Sequence, residues 1–146
     1  MIRTQHILDI KGNDIWTISP DDSVYNALRL MARCDVGALL VTEGDKLIGI
    51  LSERDYARKV ILFGKTSKET KVSEIMTSKV ITIHPLQTLE ECMDIMTKNH
   101  VRHLPVMDGE KIVGVISIGD VVKNIIYKQR ETIKDLTSKT SSNLVV

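Results

Sequence analysis

The chain repeats itself, and this constrains its fold more than any single motif does. Sliding the sequence by sixty-five positions sets residues 7–56 on 72–121 without a gap, and about a quarter of the paired residues are identical. Gly49-Ile50-Leu51-Ser52-Glu53-Arg54-Asp55 returns as Gly114-Val115-Ile116-Ser117-Ile118-Gly119-Asp120, and Thr17-Ile18-Ser19-Pro20 returns as Thr82-Ile83-His84-Pro85. Most other pairs keep their apolar or polar class. The chain is a tandem duplication, so its fold is made of two similar units that cover each other's open faces.

Each unit reads strand, helix, strand, strand, helix. Strands are expected at Ile15–Ile18 and Val80–Ile83, stopped by Pro20 and Pro85. Helical spacing follows in Val24, Ala27, Leu28 and Met31, and again in Leu89, Cys92, Met93 and Met96. Asp22-Ser23 and Thr88 supply the N-caps. Hairpins join Ala38–Thr42 to Leu47–Leu51 and His103–Met107 to Ile112–Ile116, turning at Gly44 and Gly109. Closing helices are expected near Asp55–Phe63 and Gly119–Tyr127, and short helical turns at Thr4–Ile10 and Lys71–Met76. The units span 7–63 and 72–128, with a polar linker at 64–71. In the polar tail, 129–146, the last helix continues to about Leu136 and then frays. The expected class is α/β (α+β): two βαββα repeats packed with pseudo-twofold symmetry.

Composition narrows the functions. A formal net charge of +1 supplies no broad basic field for nucleic acid or an anionic membrane. The longest apolar runs, such as Ile112–Ile118, are strand-sized and far too short to span a bilayer. Met1-Ile2-Arg3 leads into polar sequence rather than a signal segment, and Cys34 and Cys92 read as free thiols, so a cytoplasmic setting is expected. His100 and His103, with Cys92 and Asp94, match no zinc pattern. There is no nucleophile elbow, Walker loop or Gly-x-Gly-x-x-Gly. The expectation is a non-catalytic protein without a metal.

Ser52…Asp55 and Ser117…Asp120 carry two readings. A hydroxyl residue with an acid three positions on resembles a capping box. Equally, a carboxylate fixed at a helix start can accept the vicinal hydroxyls of a ribose, with the helix N–H groups near a phosphate. Arg102-His103 stands where the first unit has Gly37-Ala38. It is either a surface pair or an anion fork that makes one cleft better equipped than its mate. Trp16 is either packing or a flank for a nucleobase.

Together, the repeat, Thr-Ile-x-Pro, Val-x-x-Leu-x-Val, the glycine before two apolar residues and Ser-x-x-Asp resemble tandem cystathionine-β-synthase (CBS) domains, a Bateman module. The resemblance covers about residues 7–127. It implies two clefts between the repeats that bind AMP, ADP or ATP, and in some members NAD or S-adenosylmethionine. By position, Asp55 and Asp120 would hold ribose hydroxyls, with Ser52 and Ser117 near ribose or phosphate. Trp16 and Ile81, with Val36-Gly37 and Val101-Arg102, would line the base. Arg102 and His103 would reach phosphate across the repeat interface, and Arg54 would lie beside the ligand. The resemblance implies a nucleotide sensor that forms a homodimer and acts through a regulated partner. The alternatives are a structural or partner-binding pair without a physiological nucleotide, or an S-adenosylmethionine-binding variant.

Overall fold

In the computed structural model, which describes the backbone of residues 1–144 and side chains through residue 138, the two units are laced together by exchanged helices. The first half holds α1 (Thr4–Lys11), β1 (Thr17–Ile18), α2 (Val24–Cys34), β2 (Ala38–Glu43) and β3 (Lys46–Ser52). It closes with α3 (Glu53–Tyr56), which continues as a π-helical turn over Ala57–Ile61. The second half holds α4 (Val72–Ile75), α5 (Leu89–Asn99), β4 (His103–Asp108), β5 (Lys111–Ser117) and α6 (Ile118–Leu144).

The two halves obey the same local rules. The Ser23 and Thr88 hydroxyls accept the backbone N–H of Asn26 and Glu91 and so start α2 and α5. Both helices end on a left-handed residue, Asp35 and His100, each at φ 54. Their apolar stripes are buried at Val24, Ala27 and Met31, and at Leu89, Cys92 and Met96. β2 pairs antiparallel with β3, and β4 with β5, each with a bulge at the matching place, Val41/Thr42 and Val106/Met107.

The first strand of each unit is shorter than expected. In the first unit it is reduced to Thr17–Ile18, parallel to β2. In the second, Val80–Ile83 forms no strand, and only Ile83 bridges Val106. The cause is Pro105. Its counterpart Leu40 donates its N–H to the Trp16 carbonyl at 3.0 Å, whereas proline has no N–H to offer Ile81. The tail also departs from expectation, because α6 does not fray at Leu136 but runs to Leu144. No Gly or Pro follows Gly119, and Thr132 folds its hydroxyl back onto the Lys128 carbonyl at 3.0 Å. Residues 145–146 of the tail lie outside the described residues.

The exchange of helices corrects the alignment itself. Ile7 and Leu8 of α1 lie in the core of the second unit, with Leu89, Met96, Leu104 and Ile116. Val72 and Ile75 of α4 lie in the core of the first, with Val24, Met31, Leu39 and Leu51. Backbone bonds seal each crossing: Gln5 N–H to Pro85 O at 2.9 Å, and Ser73 N–H to Pro20 O at 2.9 Å. The repeated glycines make room for these visitors. A Cβ on Gly49 would come within 2.6 Å of Met76 Sδ, and one on Gly114 within 2.7 Å of Leu8 Cδ2. Gln5 thus answers to Ser73 and Leu8 to Met76, a register of sixty-eight rather than sixty-five. Ile10, set against Ile75 by the gapless alignment, is 82% exposed while Ile75 is 2% exposed. The stretch between α1's core contact and β1 is therefore three residues longer than its counterpart, and α1 gains a last turn that ends at Lys11.

Candidate functional site

Each hairpin ends on a serine that starts the next helix. The Ser52 hydroxyl accepts the Asp55 N–H at 3.2 Å, and Asp55 Oδ2 accepts the Ser52 N–H at 3.0 Å. Ser117 and Asp120 make the same two bonds at 3.2 and 2.8 Å. Both are capping boxes with Asp in the acid position, so the cap reading is correct. The caps also fix each carboxylate in place while leaving it partly open to solvent, 16% for Asp55 and 22% for Asp120.

Two clefts run across the repeats, and each draws on both. In one, of about 430 Å³, Ser117 and Asp120 of the second unit face Trp16, Val36 and Gly37 of the first. In the other, of about 260 Å³, Ser52, Arg54 and Asp55 of the first unit face Ile81, Val101 and Arg102 of the second. His103 and Gly37 line both. Every residue expected at a site therefore lies on a cleft wall. Trp16 is 41% exposed on its cleft rather than packed in a core. Neither Trp16 nor Ile81 is on a strand, contrary to expectation: Trp16 precedes β1, and Ile81 is where Pro105 costs the ladder its bond.

Both members of the expected basic pair line the Asp55 cleft, but they are placed differently in it. Arg102 is exposed in the Asp55 cleft, while the His103 ring turns to the shared wall, 3.6 Å from where a Cβ on Gly37 would sit. Burial first, and then the nearby Lys11 and Arg102, push the imidazole below its ordinary value against the opposing pull of Asp120. His103 is thus a neutral donor at neutral pH, not a second cation.

Charges that the sequence reading missed finish both sites. Lys11 Nζ donates to Asp120 Oδ2 at 2.7 Å and to the Val115 carbonyl at 2.9 Å. Burial pushes the Asp120 carboxyl up, but the bonds from Lys11 and Ser117 outweigh it and hold the group below its ordinary value. Ile50, the counterpart of Val115, instead exchanges two backbone bonds with Thr77. Asp55 has Lys59 of its own helix 3.3 Å from Oδ1. Arg58 and Lys79 join Arg54 and Arg102 in the Asp55 cleft. Arg58, first, and then Arg102 hold the Arg54 guanidinium below its ordinary value, the mark of crowded positive charge. Arg58 was legible as the residue one turn beyond Arg54. Lys11 was hidden by the false register. Among the described residues no three His, Cys, Asp or Glu side chains are grouped to hold a metal ion, and no helix is long and apolar enough to cross a membrane.

Known proteins share this arrangement. The CBS domain model matches residues 7–61 and 72–127. The CBS domain-containing protein CBSX3, mitochondrial, of Arabidopsis thaliana is 42% identical over 132 residues, 87% of this chain and 64% of the plant protein. The chain thus spans less than two thirds of that relative. A protein with CBS domains from Burkholderia ambifaria MC40-6 superposes with a TM-score of 0.84 at 51% identity, over 87% of this chain and 96% of that one. The CBS domain pair of protein MJ0100, in complex with 5′-methylthioadenosine and S-adenosyl-L-methionine, shares the fold with a TM-score of 0.78 at 24% identity, over 88% and 98%. With both repeats matched and each unit completed by a helix of the other, the chain belongs to the CBS-domain family, as a tandem pair.

Proposed function

We propose that this pair is a non-catalytic sensor that binds adenosine-containing ligands in the clefts between its repeats. The observation that carries the reading is the crossed construction, in which each cleft sets a capped carboxylate of one repeat, Asp120 or Asp55, against apolar residues of the other, Trp16 and Val36 or Ile81 and Val101. Asp55 and Asp120 accept ribose hydroxyls, Trp16 with Val36 and Ile81 with Val101 flank the base, and Ser52 and Ser117 stand beside the sugar. Charge-assisted bonds of this kind are worth about 1.5–3 kcal/mol each. A ligand that bridges the repeats favours one relative arrangement of them and shifts the population towards it. A regulated partner would read that shift. The adenosine compounds bound by the MJ0100 pair support adenosine as the recognised core.

A thermal-shift panel of AMP, ADP, ATP, NAD and S-adenosylmethionine tests the reading, since a ligand at a hundred times its Kd adds about 2.7 kcal/mol of stability. In calorimetry, Asp55→Asn and Asp120→Asn should each weaken binding at their own cleft by about tenfold or more. Unchanged affinity in both variants and in the double variant would overturn it. A purely structural pair is the second reading, favoured by the complete capping boxes and by the lysines already paired with both carboxylates. It predicts that no adenosine compound stabilises the protein, while both substitutions still cost a cap. The homodimer also belongs to this proposal. Ile61 and Ile126, sixty-five positions apart on the closing helices, are 56% and 43% exposed. Such matched apolar residues suit a second copy, and sedimentation of wild type against Ile61→Glu/Ile126→Glu checks this.

A further inference from the structure

We propose that the two clefts sort adenosine ligands by charge: the Asp55 cleft takes phosphorylated forms, and the Asp120 cleft takes forms that carry no phosphate and are neutral or cationic. This deepens the reading of both clefts as adenosine sites and rests on it.

Equivalent positions around the two anchors differ, and apart from Glu53, which answers to Ile118, the differences that change charge make the Asp55 cleft the more positive. Lys79 borders the Asp55 cleft where Asp14 borders the other. Arg102 stands in the place of Gly37, His100 in that of Asp35, and Arg54 in that of Gly119. The Asp55 cleft thus sets four cations, Arg54, Arg58, Lys79 and Arg102, against Glu53 and Asp55. None of those four cations makes an ion pair among the described residues. Crowded like charges without an anion are costly, and a phosphate relieves them with the paired N–H geometry that guanidinium groups match.

The Asp120 cleft is the converse. Among the described residues its carboxylates are Asp14, Asp35 and Asp120, and its one lining Lys or Arg is Lys11. That ammonium is already spent on Asp120 Oδ2 and the Val115 carbonyl. Among the described residues, a phosphate entering here meets two carboxylates without an ion pair and no free cation, while a neutral or positively charged 5′ group meets no such penalty.

Trp16 lines the Asp120 cleft and not the other, and it is the only tryptophan, so its fluorescence reports which cleft fills. Wild-type protein is titrated with ATP, AMP, adenosine and S-adenosylmethionine, by calorimetry and by Trp16 emission. ATP should bind one equivalent without moving the emission. S-adenosylmethionine should then titrate a second equivalent into ATP-saturated protein and move it. Arg58→Gln/Arg102→Gln, at exposed residues without ion pairs, should weaken ATP by about 10- to 100-fold and leave S-adenosylmethionine unchanged. Asp14→Lys should admit AMP to the Asp120 cleft, read as a new AMP-dependent change in Trp16 emission. Competition between ATP and S-adenosylmethionine for one equivalent, or equal weakening of both by the Arg variant, overturns the sorting but leaves the adenosine reading standing. Failure of all four compounds to bind folded wild-type protein overturns both.

Discussion

The Asp55 and Asp120 clefts agree at their anchors and disagree at their rims. Ser52 with Asp55 and Ser117 with Asp120 make the same pair of capping bonds, and Gly49 and Gly114 each admit a helix from the other repeat. Around these fixed points Asp14 answers to Lys79, Gly37 to Arg102 and Leu40 to Pro105. Duplication has kept the groups that fold each unit and bind it to its mate. Positions that face the open cleft are free to diverge, because a cap or a crossing does not depend on them.

The crossings offer the sharpest test of that equivalence. Leu8 is 1% exposed in the second core, whereas Met76, its counterpart against Gly49, is only partly buried. Leu8→Ala should cost about 2–5 kcal/mol in urea unfolding, and Met76→Ala clearly less. Adding Gly114→Ala to Leu8→Ala should recover part of the loss, because the new Cβ occupies space the leucine gave up, although Gly114→Ala alone destabilises. Equal costs for Leu8→Ala and Met76→Ala would show that the two crossings carry the same load.

The next effect lies in the sheets. Leu40→Pro removes the N–H bonded to Trp16 O and a side chain that is 1% exposed, so it should cost about 2–4 kcal/mol. The reverse change, Pro105→Leu, gives the second unit the missing donor. Amide hydrogen exchange should then show protection at residue 105, absent from the wild type by construction, with slower exchange at Met107 beside it. A fully exchanging amide at residue 105 would mean that proline is not what separates the two sheets.

These differences mark where the sequence was legible. Helix stripes, hairpins and caps follow from spacing within a few residues, so α2, α5, the hairpins and both Ser-x-x-Asp starts were readable, and the two clefts were expected from the resemblance to tandem CBS domains. The failures are long-range. Nothing local says that α1 belongs to the second core, and a gapless sixty-five-residue register hides a three-residue slip because Ile10 is apolar like Ile75. Lys11 reaches Asp120 only through that slip. The lost strand at Val80–Ile83 had a local sign in Pro105, which matters only once the parallel partner is known.

Lys11 supplies a smaller effect. Asp120 is held below its ordinary value in the folded protein, so its contribution is complete above about pH 4 and is lost as pH falls through the folded value. Lys11→Met removes the chief group that holds it down and leaves the burial that pushes it up. Acid unfolding should therefore begin at a higher pH, with a loss at neutral pH of about 0.5–1 kcal/mol, small because the pair is partly exposed. The matching variant Lys59→Met should cost less stability at neutral pH, since Lys59 lies at 3.3 Å from Asp55 where Lys11 lies at 2.7 Å from Asp120. Equal losses at neutral pH in the two variants would erase this distinction between the anchors.

His103 gives the smallest effect and joins the two clefts. Its folded value lies below the ordinary one, so protonation favours the unfolded chain. The contribution is complete above the ordinary value of about 6.5 and falls away as pH drops through it towards the folded value. His103→Gln should remove that slope, seen as the difference between two stability profiles from pH 7.5 to 5, with His6, His84 and His100 common to both. Ligands should separate the clefts further. A phosphate in the Asp55 cleft lies on the same wall as His103 and raises its proton affinity, so on binding ATP near pH 6 the wild type should take up more protons, or release fewer, than His103→Gln. A ligand without phosphate in the Asp120 cleft should take up fewer. Calorimetry in buffers of different ionisation enthalpy reads the difference, and proton uptake unchanged in His103→Gln would place the titrating group elsewhere.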